Sequence, residues 1–331
     1  MSFFDKLPQE LFTDICTRLP IKTIVQIRCV CKSWNALIKN PNFITAHINR
    51  TVADTKKTQL LLLRYHSQHE NEERFSIRCD NETFDECMAF DDSYACWPHS
   101  HYRIVGSCNG LICFSDDLNG NTTYSHYDFF HGFGFNSWTN DFKVVRIVYF
   151  CEFDMNGYKS PPWVEVYELS TGLWRVSSAV VPLYGMIFSR SWHVFVKGAS
   201  HWVASEKGKE RNRYLILSFD MGSEVFREIM LPAGVANGPG LNLSISLFGE
   251  SLSLFHYDGF LYDRSKRCCI WVMKEYGVVE SWTKLFTLGG GGLSKVLGFR
   301  RTGEILVAKS NRELVSESNQ QVHLANFGSE E

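Results

Sequence analysis

The sequence predicts two unlike parts: a small all-α module over residues 1–50 and a large all-β, propeller-like domain over residues 59–331, joined by a polar linker at 51–58. Three observations predict this. Apolar residues recur at helical spacing in the first fifty positions and at strand-like alternation after residue 59. Aromatic residues make up 14% of the chain, and Phe and Trp suit strands. Two patterns also repeat in step about every fifty residues, a period that marks a repeat architecture.

Bulk properties set the outer limits. At 331 residues, 44% hydrophobic and 21% charged, the chain is long enough for a small module plus a large domain and has ordinary globular composition. A formal net charge of −2 gives no reason to expect nucleic acid or an anionic membrane as partner. Residues 1–50 hold seven Lys and Arg against three Asp and Glu, a surplus that suits an acidic protein partner or simply a solvated surface. There are eleven cysteines, an odd number, and the opening MSFFDKLPQE lacks a basic stretch followed by an apolar core. No apolar run reaches the ~18 residues of a spanning helix. The expectation is a reducing compartment, the cytoplasm and also the nucleus, so the sequons at Asn81, Asn121 and Asn242 carry no weight.

In the first fifty residues, LPQELFTDICTRLP places Leu7, Leu11, Ile15 and Leu19 on one helical stripe. Pro8 suits the start of that helix, Glu10 complements its N-terminus, and Pro20 stops it. IKTIVQIRCVCKSWNALI follows with Ile24, Ile27, Val30, Trp34 and Leu37 at three- and four-residue steps, and a third helix is expected over 42–49, entered through Pro41. Such a bundle is too small to bury all its apolar surface. By periodicity alone it could be a cap packed on the next domain.

The literal sequence says more. Leu7, Pro8, Glu10 and Leu11 (L-P-x-E-L), Arg18 to Pro20 (R-L-P), Arg28 to Trp34 (R-C-V-C-K-S-W), and Pro41 with Phe43 come in an order and spacing that resemble the F-box family. That resemblance implies docking on the Skp adaptor of a cullin-RING, SCF-type ubiquitin ligase. Carried over position by position, the adaptor-facing candidates are Leu7, Pro8, Leu11, Ile15, Leu19, Pro20, Ile24, Val30 and Trp34. Some of these must form the module's own core, and sequence alone does not divide them.

The β-domain is read from its repeats. VEVYELSTGLWRVS (from Val164), LILSFDMGSEVFREI (from Leu215) and IWVMKEYGVVESWTKL (from Ile270) each run strand, turn, aromatic strand. Their aromatics Trp174, Phe226 and Trp282 are 52 and 56 residues apart. Gly198, Gly249 and Gly303, each following one of these aromatics, mark a second turn at intervals of 51 and 54. A weaker copy, LVSESNQQVHL, ends at Leu324. Four strands per unit, none able to bury its faces alone, predict β-propeller blades, about five to six of them. The alternative is a two-sheet β-sandwich. A propeller must also hide its terminal edges, so the run at 60–63 is expected to join the sheet built by 305–308 or 314–324.

Residues 107–117 (SCNGLICFSDD), 132–147 (GFGFNSWTNDFKVVRI), 164–175 and 198–204 (GASHWVA) resemble the plant F-box-associated, kelch-like interaction domain, whose family includes the S-locus F-box proteins of self-incompatibility and several defence regulators. One departure stands out. The family carries a strand close to L-W-N-P between the S-C-N-G-L and G-F-G motifs, whereas here the chain passes from Tyr124 almost directly to Gly132. Part of one blade is missing, and an incomplete propeller is expected.

Other motifs invite chemistry. Cys29 and Cys31 are too close for a zinc pair and read as core residues on a helix. Cys79, Cys87, Cys96, His99 and His101 fit no closed four-ligand spacing. Adjacent Cys268 and Cys269 point to opposite faces of a strand. The glycines at 289–292 precede Lys295 without the Gly-x-x-x-x-Gly-Lys order and read as a loop between blades. No catalytic residue, metal or cofactor is expected. The resemblance implies a non-catalytic receptor that brings a protein substrate to a ligase. The alternatives are a propeller-type binding protein for a protein or glycan, and a non-functional truncated allele. Nothing in the sequence names the target.

Overall fold

A computed structural model describes residues 8–40, 42–44, 46–47, 50, 60–67, 72–81, 83–89, 102–116, 127–150, 153–154, 157–158, 161–181, 185–186, 193–206, 213–236, 242–258, 267–289, 293–300, 302–309, 313–317 and 322–326. The chain divides into two compact units, one of residues 1–81 with 85–89, the other of 82–84 with 90–331.

The first unit opens with three helices, α1 (Gln9–Thr17), α2 (Ile21–Ile27) and α3 (Lys32–Lys39). Pro8 and Pro20 each stand just before a helix, and their carbonyls accept the Phe12 and Ile24 amides at 3.1 Å. Pro20 therefore both follows α1 and opens α2. The periodic run from Ile24 to Leu37 is two helices rather than one. The 28–30 turn closes α2 with i+3 hydrogen bonds, and Cys31 is extended (φ −160°, ψ 168°) as the first residue before α3. Residues 42–44, 46–47 and 50 are helical. Cys29 and Cys31 are consequently exposed thiols, the Cys31 Sγ 3.0 Å from Ser33 Oγ, not core residues on a helix. The unit also holds an antiparallel sheet, β1 (Leu60–Ser67), β2 (Glu72–Cys79) and β3 (Glu86–Ala89).

The second unit is a series of antiparallel meanders. A two-stranded hairpin, β4 (Tyr102–Cys108) with β5 (Leu111–Asp116), comes first. Next is a four-stranded sheet of β6 (Tyr127–Asn136), β7 (Asp141–Phe150), β10 (Trp163–Glu168) and β11 (Leu173–Ser177). A separate small hairpin, β8 (Phe153–Asp154) with β9 (Gly157–Tyr158), comes between β7 and β10 in the chain. β12 (Gly185–Met186) and β13 (Val194–Val196) then share β14 (Ala199–Glu206), followed by β15 (Arg213–Asp220) and β16 (Phe226–Met230). β17 (Asn242–Phe248), β18 (Ser251–Asp258), β19 (Arg267–Met273) and β20 (Trp282–Gly289) form another sheet. The last is β21 (Leu293–Phe299), β22 (Ile305–Lys309), β23 (Glu313–Glu317) and β24 (Val322–Asn326).

Among the described residues these sheets are successive blades of a propeller-like domain, and no described strand pairs the first sheet with the last. The first strand of each lies beside the first strand of the next: β4 by β6, β6 by β13 and β14, those by β17, and β17 by β21. Trp174, Phe226 and Trp282 occupy each blade's last strand, and Gly198, Gly249 and Gly303 its first turn, so the fifty-residue repeat is one blade. Lys197 and Gly198 both take positive φ (52° and 79°), as do Asn109 and Gly110 (47° and 80°), which a two-residue hairpin with the twist of its strands requires. The cores lie between blades. On β15, Leu215, Leu217 and Phe219 pack toward Val145 and Ile147 of the preceding blade, while Tyr214 and Ile216 pack toward Leu243 and Leu252 of the following one. A strand buried on both faces explains why LILSF is continuously apolar. Cys268 is in the next core and Cys269 is not, each thiol on its own face of β19 and neither in a disulfide.

The expected closure by the N-terminal strand is corrected. Residues 60–63 pair with residues 76–79 of β2, and the sheet of β21 to β24 contains no other strand among the described residues. A hairpin partner a few residues away has a far smaller loop-closure cost than one over two hundred residues away.

The G-F-G motif also has a steric cause. A Cβ on Gly132 would lie 2.5 Å from Trp202 Cζ2, and one on Gly134 would lie 2.3 Å from the Phe195 ring. Trp202 cannot easily yield, because its Nε1 donates to the His131 carbonyl at 2.9 Å. Gly132→Ala should therefore cost ~1–3 kcal/mol by overpacking, read as a lowered urea midpoint with an unchanged slope. An unaltered midpoint would show that the rings give way freely.

Candidate functional site

Three short helices can build only a small core. Cys16, Ile24, Ile38 and Phe43 form it, with Phe12, Leu19, Ile27 and Leu37 partly buried against it. His47 Nε2 donates to the Leu19 carbonyl at 2.9 Å and ties the last helical segment to the α1–α2 turn. With that core complete, Leu11 (54% exposed), Ile15 (47%) and Val30 (62%) remain outside it, as do Ile21, Val25 and Ile44.

The structure thus sorts the residues assigned to the adaptor face. Pro8, Leu11, Ile15, Pro20 and Val30 are exposed, and Leu7 lies outside the described residues. Leu19 and Trp34 are half-buried, the Trp34 ring 4.7 Å from that of Phe12. Ile24 is a correction. It is 3% exposed and belongs to the core, so as folded it has almost no surface for a partner. Ile24 and Ile27 occupy one face of α2 while Ile21 and Val25, four apart, occupy the next. The Ile21 and Val25 pair was readable but was hidden by a single stripe drawn through a helix break.

In the β-domain the outer strand β11 presents Leu173, Trp174 and Val176 to solvent. The Arg146 guanidinium sits 4.5 Å from the Trp174 ring centroid, with its charge met by Glu165. Beside this edge is a cavity of ≈ 590 Å³, lined by Arg175, Ser178 and Val180 on one side and by Glu224, Val225 and Phe226 on the other. Arg175 and Glu224 of its lining belong to an ion cluster. Glu224 accepts from Lys143 Nζ at 2.7 Å, Arg175 Nη1 at 2.9 Å and Ser177 Oγ at 3.0 Å. Lys143, its side chain 4% exposed, also donates to the Met221 carbonyl at 3.0 Å. Arg175 reaches Glu168 at 3.0 Å. Burial pushes the Glu224 carboxyl up, but the bonds from Arg175 and Lys143, the Lys143 charge and the Ser177 hydroxyl together reverse this and hold it at about 2. The Arg175 pKa is raised, chiefly by the Glu224 bond. Two cations and two carboxylates balance, so the cluster joins one blade to the next without presenting net charge. Sequence reasoning did not find it.

Two buried histidines face the inner strands. His201 Nδ1 donates to the Val194 carbonyl at 3.1 Å, and its Nε2 accepts from the Tyr276 hydroxyl at 2.7 Å. That bonding suits the neutral ring. Burial, with a smaller push from His193, lowers its pKa from 6.5 to about 4. Between those values the unfolded chain binds the proton and the folded chain does not. Stability from this residue is thus complete above pH ~6.5, falls as pH drops, and is gone below pH ~4, a loss of up to about 3 kcal/mol. Urea midpoints measured from pH 7 to pH 4 should fall, and His201→Gln should flatten part of that slope. Equal slopes would remove His201 from the account.

Cys79 and Cys87, considered from sequence among possible metal ligands, form a disulfide instead. Cys96, His99 and His101 lie outside the described residues.

Residues 4–45 match the family model of the F-box domain, and residues 118–325 match that of the F-box associated beta propeller domain. F-box protein CPR1 of Arabidopsis thaliana is 28% identical, over 95% of this chain and 80% of its own. F-box protein At3g07870 of the same plant is 28% identical, over 94% and 85%. Its F-box/kelch-repeat protein At3g23880 is 25% identical, over 86% and 80%. Among solved structures, polysaccharide lyase Uly1 overlaps 82% of this chain and 59% of its own at 9% identity and a TM-score of 0.37, too loose a likeness to argue from. The propeller-domain match alone spans more than half of the residues, and the chain belongs to the family of plant F-box proteins that carry an F-box-associated β-propeller domain.

Proposed function

We propose that this chain is the substrate-recognition subunit of a cullin-RING, SCF-type ubiquitin ligase, with residues 1–50 holding a Skp-type adaptor and the domain from residue 59 holding a protein target. One observation carries the reading. The helical module completes its core and still leaves Leu11, Ile15, Ile21, Val25 and Val30 in solvent. Bare apolar pairs on α1 and α2, on a module this small, are a surface built for a partner. Pro8, Pro20 and half-buried Leu19 and Trp34 complete the proposed adaptor contacts. On the β-domain, Leu173, Trp174 and Val176 beside the ≈ 590 Å³ cavity supply the aromatic and aliphatic surface that a protein target would meet. The work is done by proximity: one part holds the scaffold and the other presents the target to the transfer machinery.

The test uses the purified full-length chain. A calorimetric titration against a Skp-type adaptor should give a one-to-one complex that recruits a cullin. Absence of binding by a folded chain would overturn the ligase reading and favour a propeller-type binding protein.

A further inference from the structure

Cys79, the last residue of β2, and Cys87 in β3 are joined across eight positions with their Cα atoms 6.2 Å apart. The hairpin places them there. Ile77 faces Met88 and Arg78 faces Glu86, so Cys87 is the extra residue of a bulge, and a bulge re-aims its side chain. Other bonds hold the same ring. The Cys79 amide donates to the Asp85 carbonyl at 2.8 Å, Asn81 Nδ2 donates to Asp85 Oδ2 at 2.8 Å, and Arg78 pairs with Glu86 at 3.0 Å. The turn is therefore shaped for the pair by contacts that do not depend on the sulfurs. Cys87 is exposed and Cys79 half-buried, so small reagents can reach them. Cys108 and Cys113 on β4 and β5 differ: burial raises both thiols to about 11, which keeps them protonated and unreactive at neutral pH.

We propose that Cys79 and Cys87 are a reversible dithiol–disulfide site, oxidised by a small-molecule disulfide, that locks the turn carrying Phe84. That residue is fully buried although its φ is +52°, a conformation that a non-glycine residue holds only when its surroundings impose it. In the forward step the exposed Cys87 thiolate attacks the oxidant's S–S bond, forming a mixed disulfide and expelling one thiolate. The Cys79 thiolate then attacks the Cys87 sulfur, expelling the second. The protein loses two electrons and two thiol protons, and the oxidant leaves as two thiols. In a reducing compartment the couple rests as the dithiol and closes when the poise rises.

The experiment equilibrates the full-length chain in glutathione buffers from reduced to oxidised, quenches in acid with denaturant, and labels thiols before and after reduction with two mass tags. Cys79 and Cys87 should change tag together at one midpoint, while Cys108 and Cys113 stay thiols throughout. With Cys87→Ser, Cys79 should never enter an internal disulfide. On the wild-type chain, hydrogen exchange of residues 80–86 should slow by ~50-fold on oxidation, the factor expected for closing so short a ring. Separate midpoints, pairing of either cysteine with Cys29 or Cys31, or equal exchange in the two states would overturn the proposal.

Discussion

Replacing Leu11 and Ile15 together by aspartate should weaken binding of a Skp-type adaptor by at least ~100-fold while the chain stays folded. The two side chains are about half exposed and lie four apart on α1, outside the Cys16, Ile24, Ile38 and Phe43 core. Folding therefore loses little when they change. An apolar anchor at the centre of an interface is worth ~1–3 kcal/mol, and a buried unpaired carboxylate adds to the loss. Two such changes exceed the ~2.7 kcal/mol that a hundredfold corresponds to. Ile24→Asp is the contrasting variant. It puts a charge where 3% of the residue is exposed and should unfold the helical module. Loss of adaptor binding there would accompany loss of helical circular dichroism, whereas Leu11→Asp with Ile15→Asp should keep the native spectrum. Full-strength binding by the folded double variant would remove α1 from the interface, and the ligase assignment would have to rest on α2 and α3.

How much of this could be read beforehand depends on the reach of each interaction. The blades were legible because a strand buried on both faces, a tight turn and an aromatic edge strand all leave local marks, and the marks recur. Gly198, Gly249 and Gly303 needed no knowledge of the fold to be placed in turns. The G-F-G motif was legible as a pattern, but its cause was not. Trp202 and Phe195, which bar a Cβ at Gly132 and Gly134, come from the next blade. Partner choice left no mark at residues 60–63, where any strand could pair with any free edge. The break at residues 28–31 was missed because apolar spacing continued across it. The Cys79 and Cys87 pair needed the bulge that turns one sulfur toward the other, and nothing in an eight-residue spacing specifies a bulge. The ion cluster joins residues as much as 81 positions apart, and each of its members looks like an ordinary surface charge until the blades stack.

Glu224→Ala should be among the most damaging single substitutions in the β-domain, costing roughly 3–5 kcal/mol. Glu224 sits in the turn after β15 at φ +56°, where Asp220 fixes the backbone by accepting from the Gly222 and Ser223 amides at 3.0 and 2.7 Å. Removing its carboxylate leaves the Lys143 ammonium buried, with Glu168 at 3.7 Å as the nearest remaining carboxylate among the described contacts. Breaking a buried pair from one side strands the other charge, which costs more than the pair itself contributes. Lys143→Met acts differently. It removes the buried charge altogether and leaves Glu224 held by Arg175 and Ser177, so a loss of only ~1–2 kcal/mol is expected. The order of the two variants is therefore the diagnostic quantity in urea unfolding. The same carboxylate predicts an acid limb. Its folded value of about 2 lies below the ordinary 4.5, so the unfolded chain takes up the proton first. The stabilisation is complete above pH ~4.5 and is lost as pH falls toward ~2, about 3 kcal/mol at most before solvent screening reduces it. Glu224→Ala should erase that limb while leaving the histidine-dependent fall between pH ~6.5 and ~4 in place. If Lys143→Met proves the more damaging of the two, the cluster is held by packing of the lysine stem rather than by its charge.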